Sequence, residues 1–213
     1  MHDQEHITKL NTLIQAGQLK RSHAGAVELV LSIEDETERL LTFLRLTEAL
    51  LREGGIDEAE QVVRSLERSL QEYAYERASA WRDIAAAHIH RGQRDQALKT
   101  LLEAEAIAQT VDGAWQQAET LHRTANLFAA IEQINQAHIL WDQAIAIARA
   151  GENSQLLQDS LDCGSVLREI ATDLADRGYV AKAKEVAMSI KDDARRSKTL
   201  RTIQDIENPA EEK

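Results

Sequence analysis

Histidine and cysteine are the residue types in this chain best suited to metal binding or catalysis. His2 and His6 have the i, i+4 spacing that puts two imidazoles on one helical face, but no third ligand lies nearby, so a frayed, solvated chain end is the alternative. Cys163 is the only cysteine and lies near a predicted helix start, where the dipole favours a thiolate; a partly buried thiol is the alternative. The Gly-rich phosphate loop, the Gly-x-Ser-x-Gly elbow and the His-Glu-x-x-His motif are all absent. The sequence therefore predicts no enzyme, no metal site and no cofactor.

The composition favours a cytoplasmic protein built from helices. Ala, Leu, Glu, Gln and Arg dominate, whereas aromatic residues make up only 4% and there is one Pro, so strand signals are nearly lacking. The net charge of −11 offers no basic footprint for nucleic acid. A single cysteine allows no intramolecular disulfide, and no apolar run approaches the ~18 residues of a membrane helix. We therefore expect an all-α protein that binds neither nucleic acid nor membrane.

A short sequence motif recurs along the chain and indicates how the chain is organised. Gly54–Ala59, Gly92–Ala97 and Gly178–Ala183 each place a Gly five residues before an Ala, and Glu132–Ala137 is a copy that has lost the Gly. A weaker copy begins at Gly17. The spacing of the copies is roughly 40 residues, which is typical of a stacked array of helical repeats.

Each repeat is predicted to be a helix, a short turn and a second helix. Apolar residues recur at helical spacing on both sides of Gly92, which suits a left-handed cap. Asp57, Asp95 and Asn135 share one phase of three repeats and are expected to cap the second helices. The predicted helix pairs cover 3–32, 38–68, 77–110, 115–150 and 160–190, followed by a single helix over 194–207. We expect one domain over 1–208 and a frayed polar tail over 209–213.

Two further segments of the chain have similar sequences, and we call them the echoed segments. The segment 33–39, Ile-Glu-Asp-Glu-Thr-Glu-Arg, resembles the segment 190–196, Ile-Lys-Asp-Asp-Ala-Arg-Arg. The closing helix is therefore interpreted as the first helix of one more repeat. Repeat arrays need such a cap with a polar outer face, because an open apolar end would associate with other molecules.

With these registers the chain resembles a tetratricopeptide repeat (TPR) protein. The family pattern Trp-x-x-Leu-Gly-x-x-Tyr, then Gly, then Ala-x-x-x-Phe-x-x-Ala is matched by Trp81-x-x-Ile84-Ala85-x-x-His88, Gly92 and Ala97-x-x-x-Leu101-x-x-Ala104. The resemblance implies an α-α superhelix, a right-handed solenoid of about five antiparallel helix pairs with a C-terminal capping helix. It places Trp81 and Trp141 in the core and His88 at a packing position. This sequence departs from the family pattern in two ways. Its repeats are longer than the usual ~34 residues, and it lacks the Pro that normally follows each second helix.

In this family the first helices line a concave groove, and the resemblance implies a basic row there. The fifth positions of these helices include Arg82, His122, Arg168 and Arg201, and neighbouring ninth positions include Asn126 and Thr172. These six residues are the predicted peptide-binding site, with Asn126 holding the peptide backbone. An acidic or carboxylate-bearing segment is the expected ligand. The alternative is an ordinary solvated face whose arginines pair with nearby carboxylates.

Three functions follow from the sequence. The leading hypothesis is a non-enzymatic scaffold or adaptor that binds a protein or peptide in the groove. The second is a homodimer formed through the apolar row Leu41, Leu44 and Leu51 or through the end of the last helix; for the apolar row, burial under the N-terminal helices is the alternative. The third, a regulator or enzyme on a helical scaffold, would need His122 to meet a carboxylate in a pocket.

Overall fold

The described part of the chain is entirely helical. The computed structural model describes residues 2–67, 71–154 and 157–208; the side chains of His2, Leu66 and residues 157–159 and the predicted tail 209–213 lie outside it. Eleven helices and no strand occur in these ranges: α1 His2–Gln15, α2 Leu19–Leu31, α3 Glu36–Arg52, α4 Ile56–Leu66, α5 Ala74–His90, α6 Arg94–Ala108, α7 Ala114–Ala130, α8 Ile134–Gly151, α9 Leu157–Asp176, α10 Val180–Met188 and α11 Asp193–Glu207. The all-α prediction is confirmed, and the helix pairs fall close to their predicted positions.

The chain divides into two compact units. The first comprises Met1–Val111 with Ala130–Glu132 and contains α1 to α6; the second comprises Asp112–Ala129 with Gln133–Lys213 and contains α7 to α11, apart from the last residue of α7. Each unit has its own core, built on Phe43 and Trp81 in the first and on Phe128 and Trp141 in the second. A single domain over 1–208 stays a prediction.

The same left-handed turn joins the two helices of every pair. Its central residue has a positive φ: 61° at Gly17, 75° at Gly54, 70° at Gly92, 64° at Glu132 and 84° at Gly178. The next amide donates to the carbonyl five residues back, as from Gln93 to His88 over 2.9 Å, which satisfies a carbonyl at the helix end. Glycine adopts this conformation without a steric penalty, whereas Glu132 has to hold a side chain there.

The predicted N-caps of the second helices are wrong by two residues. Asp57, Asp95 and Asn135 each occupy the second position of their helix rather than the cap. The cap residues are Gly55, Gln93 and Gln133, and none of these makes a side-chain capping hydrogen bond. The reason is that the left-handed turn leads directly into the next helix. The acidic residues still favour the positive helix end through its dipole.

Side-chain caps occur instead at the two echoed segments. Asp35 accepts a hydrogen bond from the amide of Glu38 at 2.8 Å, and Asp192 accepts one from Arg195 at 2.6 Å. Each cap satisfies one of the four amides that a helix start leaves without an intrahelical partner. The echo therefore marks two equivalent helix starts, those of α3 and α11.

An arginine completes both echoed segments in the same way. Arg39 donates from Nη1 to the carbonyl of Ile33 at 2.9 Å, and Arg196 donates from Nη1 to the carbonyl of Ile190 at 2.8 Å. Both arginines also pair with the carboxylate that follows the cap. The two helices differ on their outer faces, because buried Leu40, Thr47 and Leu50 of α3 correspond to exposed Ser197, Gln204 and Glu207 of α11. That polar face is what a terminal repeat requires.

Candidate functional site

The second unit contains a chain of hydrogen-bonded side chains that we call the polar chain: His122, Asp173, Asn126 and Trp141. His122 Nε2 lies 3.0 Å from Asp173 Oδ2, and Asn126 Nδ2 donates to the same oxygen at 2.6 Å. Trp141 Nε1 donates to Asn126 Oδ1 at 3.1 Å. The i, i+4 spacing of His122 and Asn126 places both on the face of α7 that meets α9. Side chains from α7, α8 and α9 are thus joined by polar contacts inside one unit.

Electrostatics fix the protonation state within the polar chain. Burial opposes ionisation of Asp173, but hydrogen bonds from His122 and Asn126 and the charge of Arg177 outweigh it, so the pKa of Asp173 lies below its usual range. An ionised carboxylate accepts only, so Nε2 of His122 must carry a proton. The Nδ1 atom of His122 is buried and has no hydrogen-bond partner among the described residues.

A pocket of about 190 Å³ lies between α7 and α9, on the N-terminal side of His122. We call it the α7–α9 pocket. It is lined by Trp115 and Glu119 from α7 and by Asp162, Ser165, Val166 and Glu169 from α9. Trp115 and Glu119 are four positions apart on α7, and His122 follows three positions later. Asp162, Val166 and Glu169 have the same helical spacing on α9, and Asp173 follows four positions later. Pocket and polar chain therefore share one seam between the two helices.

The α7–α9 pocket is acidic. Three carboxylates and one indole line it, and no basic side chain does so among the described residues. The basic neighbours lie at its edge: Arg123 pairs with Glu119 at 2.7 Å and Arg168 pairs with Glu169 at 3.3 Å. The side chains of Arg168 and Glu169 are both well exposed, and an exposed pair of this type contributes only about 0–1 kcal/mol, so a ligand cation can compete with it for Glu169. The side chain of Glu119, in contrast, is only 12% exposed.

The basic row predicted from the sequence does not form an open row of cations. Arg82 belongs to the first unit and is 6% exposed, and His122 is 2% exposed. Arg168 and Arg201 are exposed. Thr172 is half-buried and donates its hydroxyl to the carbonyl of Arg168 at 2.9 Å. Of the six residues, the structure thus brings His122 into contact with Asn126 and Arg168 into contact with Thr172. A peptide-binding role for the set stays a prediction.

Sequence reasoning missed the acidic members of the site. Asp162, Glu169 and Asp173 belong to no recognisable sequence motif. Their positions on the inward face of α9 follow helical periodicity, which was available from the sequence. Their partners on α7 depend on the axial offset between two helices, which periodicity within one helix does not give.

The other candidate residues from the sequence, His88, Cys163 and His6, make contacts that support the fold. His88 is buried at its predicted packing position, and its Nδ1 lies 2.9 Å from Gln93 Oε1. Cys163 is fully buried and lies well inside α9 rather than at its start. His6 Nδ1 contacts the Ser32 hydroxyl at 2.8 Å. Within the described residues there is no group of three His, Cys, Asp or Glu side chains placed to hold a metal ion.

Comparison with known proteins identifies the fold. No protein-family model matches the chain, and no curated protein matches it. The crystal structure of Ton1535 from Thermococcus onnurineus NA1 is similar over 94% of this chain, with 15% identity and a TM-score of 0.54; the chain spans 57% of that protein. The crystal structure of a point variant of putative kinesin light chain TPR-like repeats from Podosopora anserina is similar over 94% of this chain and 99% of its own, with 20% identity and a TM-score of 0.51.

At these identities the similarity is one of fold alone. The chain thus has a TPR-like helical repeat fold, as its residue pattern predicted. None of the helices in the described ranges is long and apolar enough to cross a lipid bilayer.

Proposed function

We propose that this chain is a non-enzymatic protein-binding scaffold whose α7–α9 pocket receives a basic side chain of its partner. TPR-like folds commonly serve as protein-interaction scaffolds, which supports the general class. The observation that carries the specific proposal is the grouping of Trp115 with Glu119, Asp162 and Glu169 around one cavity. Its volume of about 190 Å³ is below the roughly 300–1,000 Å³ of small-molecule sites, so it suits one side chain.

The chemistry of the pocket favours a lysine or an arginine. An indole attracts a cation over its face, and carboxylates accept charge-assisted hydrogen bonds from ammonium or guanidinium groups. The net charge of −11 would also accelerate the encounter with a basic partner. The proposed ligand has the opposite charge to the one expected from the basic row, because burial removes Arg82 and His122 from solvent.

The contact of His122 with Asp173 does not make an enzyme the better proposal. A general base needs a nitrogen within hydrogen-bond reach of its substrate. Nε2 of His122 is engaged by Asp173, and Nδ1 is buried. A substrate could reach this imidazole only if the packing of α7 against its neighbours opened. We therefore assign the pair a structural role.

Self-association through the predicted apolar row is the weaker candidate. Leu44 and Leu51 are half-buried and pack against the core of the first unit, which leaves Leu41, 48% exposed, as the open member of the row. A single exposed leucine is ordinary on a monomer surface. Light scattering at micromolar concentration would detect a dimer, and loss of that dimer in Leu41→Glu would restore this candidate.

Peptide binding with charge-matched variants tests the scaffold proposal. Fluorescence anisotropy would follow labelled peptides that contain Lys and Arg, with Glu- and Ser-substituted peptides for comparison. We expect only the basic peptides to bind. The double variant E119Q/E169Q should lower the affinity for these peptides at least tenfold. The control D142N/E185Q removes two ion-paired carboxylates from α8 and α10 and keeps the same net charge as the test variant.

Two results would overturn the assignment. If the control weakened binding as much as the pocket variant, general charge rather than the pocket would hold the peptide. If no basic peptide bound at low ionic strength, where charge attraction is strongest, the pocket would have no such ligand.

A further inference from the structure

A second pocket in the same unit has the opposite character. It has a volume of about 250 Å³ and is lined by Ala129, Ile134, Trp141, Arg177 and Tyr179. These residues come from the end of α7, from α8 and from the turn between α9 and α10. No carboxylate lines this cavity among the described residues. We call it the Arg177 pocket.

Aromatic rings give the Arg177 pocket fixed walls. His138 packs edge-on against Trp141 and Tyr179, with ring centroids 5.3 Å and 4.8 Å apart, and Trp141 and Tyr179 are 5.9 Å apart. Such arrangements are the preferred geometry of aromatic pairs. The indole is further held by its hydrogen bond to Asn126. Walls that are already ordered reduce the entropy that binding costs.

The cation at this pocket has spare capacity for a ligand. The Arg177 guanidinium lies 5.7 Å from the Trp141 ring, and its Nη2 is 3.5 Å from the carbonyl oxygen of Asn126, the outer limit of a hydrogen bond. In the described ranges, no carboxylate oxygen lies within 4.0 Å of a guanidinium nitrogen of Arg177, the distance limit of an ion pair. Its charge is felt by Asp173, whose pKa it helps to lower, but the two side chains do not pair. A guanidinium normally makes up to five hydrogen bonds, so most of its donors are available.

We infer that the Arg177 pocket binds an apolar monocarboxylate about the size of one amino-acid side chain. The apolar body would pack against Ile134 and Tyr179, and the carboxylate would receive a bidentate contact from Arg177. A cavity for one apolar group with one cation beside it fits a molecule that carries both features together, such as a free acid or an apolar residue at a chain end. This site is separate from the α7–α9 pocket and does not depend on the scaffold proposal.

Matched ligands in isothermal titration calorimetry test the inference. The probes are N-acetyl-phenylalanine, its amide, and a short uncharged peptide ending in phenylalanine as acid or amide. We expect an acid to bind and its amide not to bind. The variant Arg177→Gln should lose at least tenfold in affinity, because a charge-assisted contact disappears. Ile134→Glu should also abolish binding, since it places a negative charge at the cavity.

The control variant is Arg201→Gln, which removes an exposed arginine of the predicted basic row from the same unit. We expect it to leave the affinity unchanged. Binding of the free acid and binding of the peptide acid alone both support the site and distinguish the source of the carboxylate. Equal binding of acid and amide, no binding of either acid, or a loss in Arg201→Gln with none in Arg177→Gln would overturn the inference.

Discussion

The pairs α5–α6 and α7–α8 share one skeleton and differ on one face. In both, the turn is closed by an amide-to-carbonyl bond of 2.9 Å, from Gln93 to His88 and from Gln133 to Phe128. Both bury a fully enclosed alanine where the helices touch, Ala85 in one and Ala125 in the other. The skeleton therefore sets the fold in both places and cannot by itself distinguish a binding surface from an inert one.

The face of the first helix carries the difference. Along one face of α5, at helical spacing, lie Tyr75, Ser79, Arg82 and Ala86. The equivalent positions of α7 hold Trp115, Glu119, His122 and Asn126. Each of the four α7 residues belongs either to the α7–α9 pocket or to the polar chain. Function in this protein is thus expected at positions that the repeat pattern leaves variable, in accord with the rule that fold and site are specified separately.

The two buried tryptophans allow the sharpest test of this contrast. Trp141 donates to Asn126, whereas the Trp81 indole nitrogen has no hydrogen-bond partner among the described residues. The Arg64 Cζ atom lies 4.7 Å from the centroid of the Trp81 ring. Replacement by Phe removes similar volume from each core. We expect Trp141→Phe to lower the free energy of unfolding by about 3 kcal/mol and Trp81→Phe by about 2 kcal/mol, because only the first leaves a carbonyl oxygen without its donor. Urea denaturation measures both, and equal losses would contradict the structural role of the polar chain.

Asp173 should give the second unit a distinct response to acid. Because its pKa in the folded state is lowered, its contribution is complete above the ordinary carboxyl range and is lost as the pH falls through the folded-state value. Asp173→Asn should remove about 1 kcal/mol at pH 7, a figure reduced for solvent screening because the side chain is 39% exposed. The variant should also lose less stability than the wild type between pH 5 and pH 3 in denaturation curves. Asp142→Asn, which affects an exposed ion pair, should change neither quantity measurably.

The turns of the two pairs differ in the residue that holds the positive φ, Gly92 in one and Glu132 in the other. Gly92→Ala should destabilise by about 1 kcal/mol through φ strain alone, because an added Cβ would meet no atom within 4 Å. Glu132→Gly should raise the Tm by about 2 °C, since it relieves a side chain at a φ of 64°. Thermal unfolding measures both. A lower Tm in Glu132→Gly would show that the pairing of Glu132 with Arg94 outweighs the strain.

The sequence was informative wherever local rules decide the structure. Gly92 and its equivalents predicted the turns, and the repeat of Asp35 at Asp192 predicted the start of α11. The prediction of Asp57 as an N-cap was wrong because the left-handed turn leads directly into α4, so that Gly55 is the cap residue. This depends on the type of turn, which the sequence pattern did not give. Arg82 failed as an open groove residue because the burial of a position depends on neighbouring helices, which one periodic pattern does not contain. The α7–α9 pocket was missed for the same reason.

The most direct test of the central claim uses the three tryptophan indole N–H signals in ¹H–¹⁵N NMR spectra. Trp115 reports on the α7–α9 pocket, and Trp81, in the core of the first unit, is an internal reference. We predict that a Lys- and Arg-containing peptide shifts the Trp115 signal in the wild type, leaves Trp81 in place, and has no effect on Trp115 in E119Q/E169Q. A Trp115 signal that does not move on saturation, or that moves equally in the variant, would contradict the account.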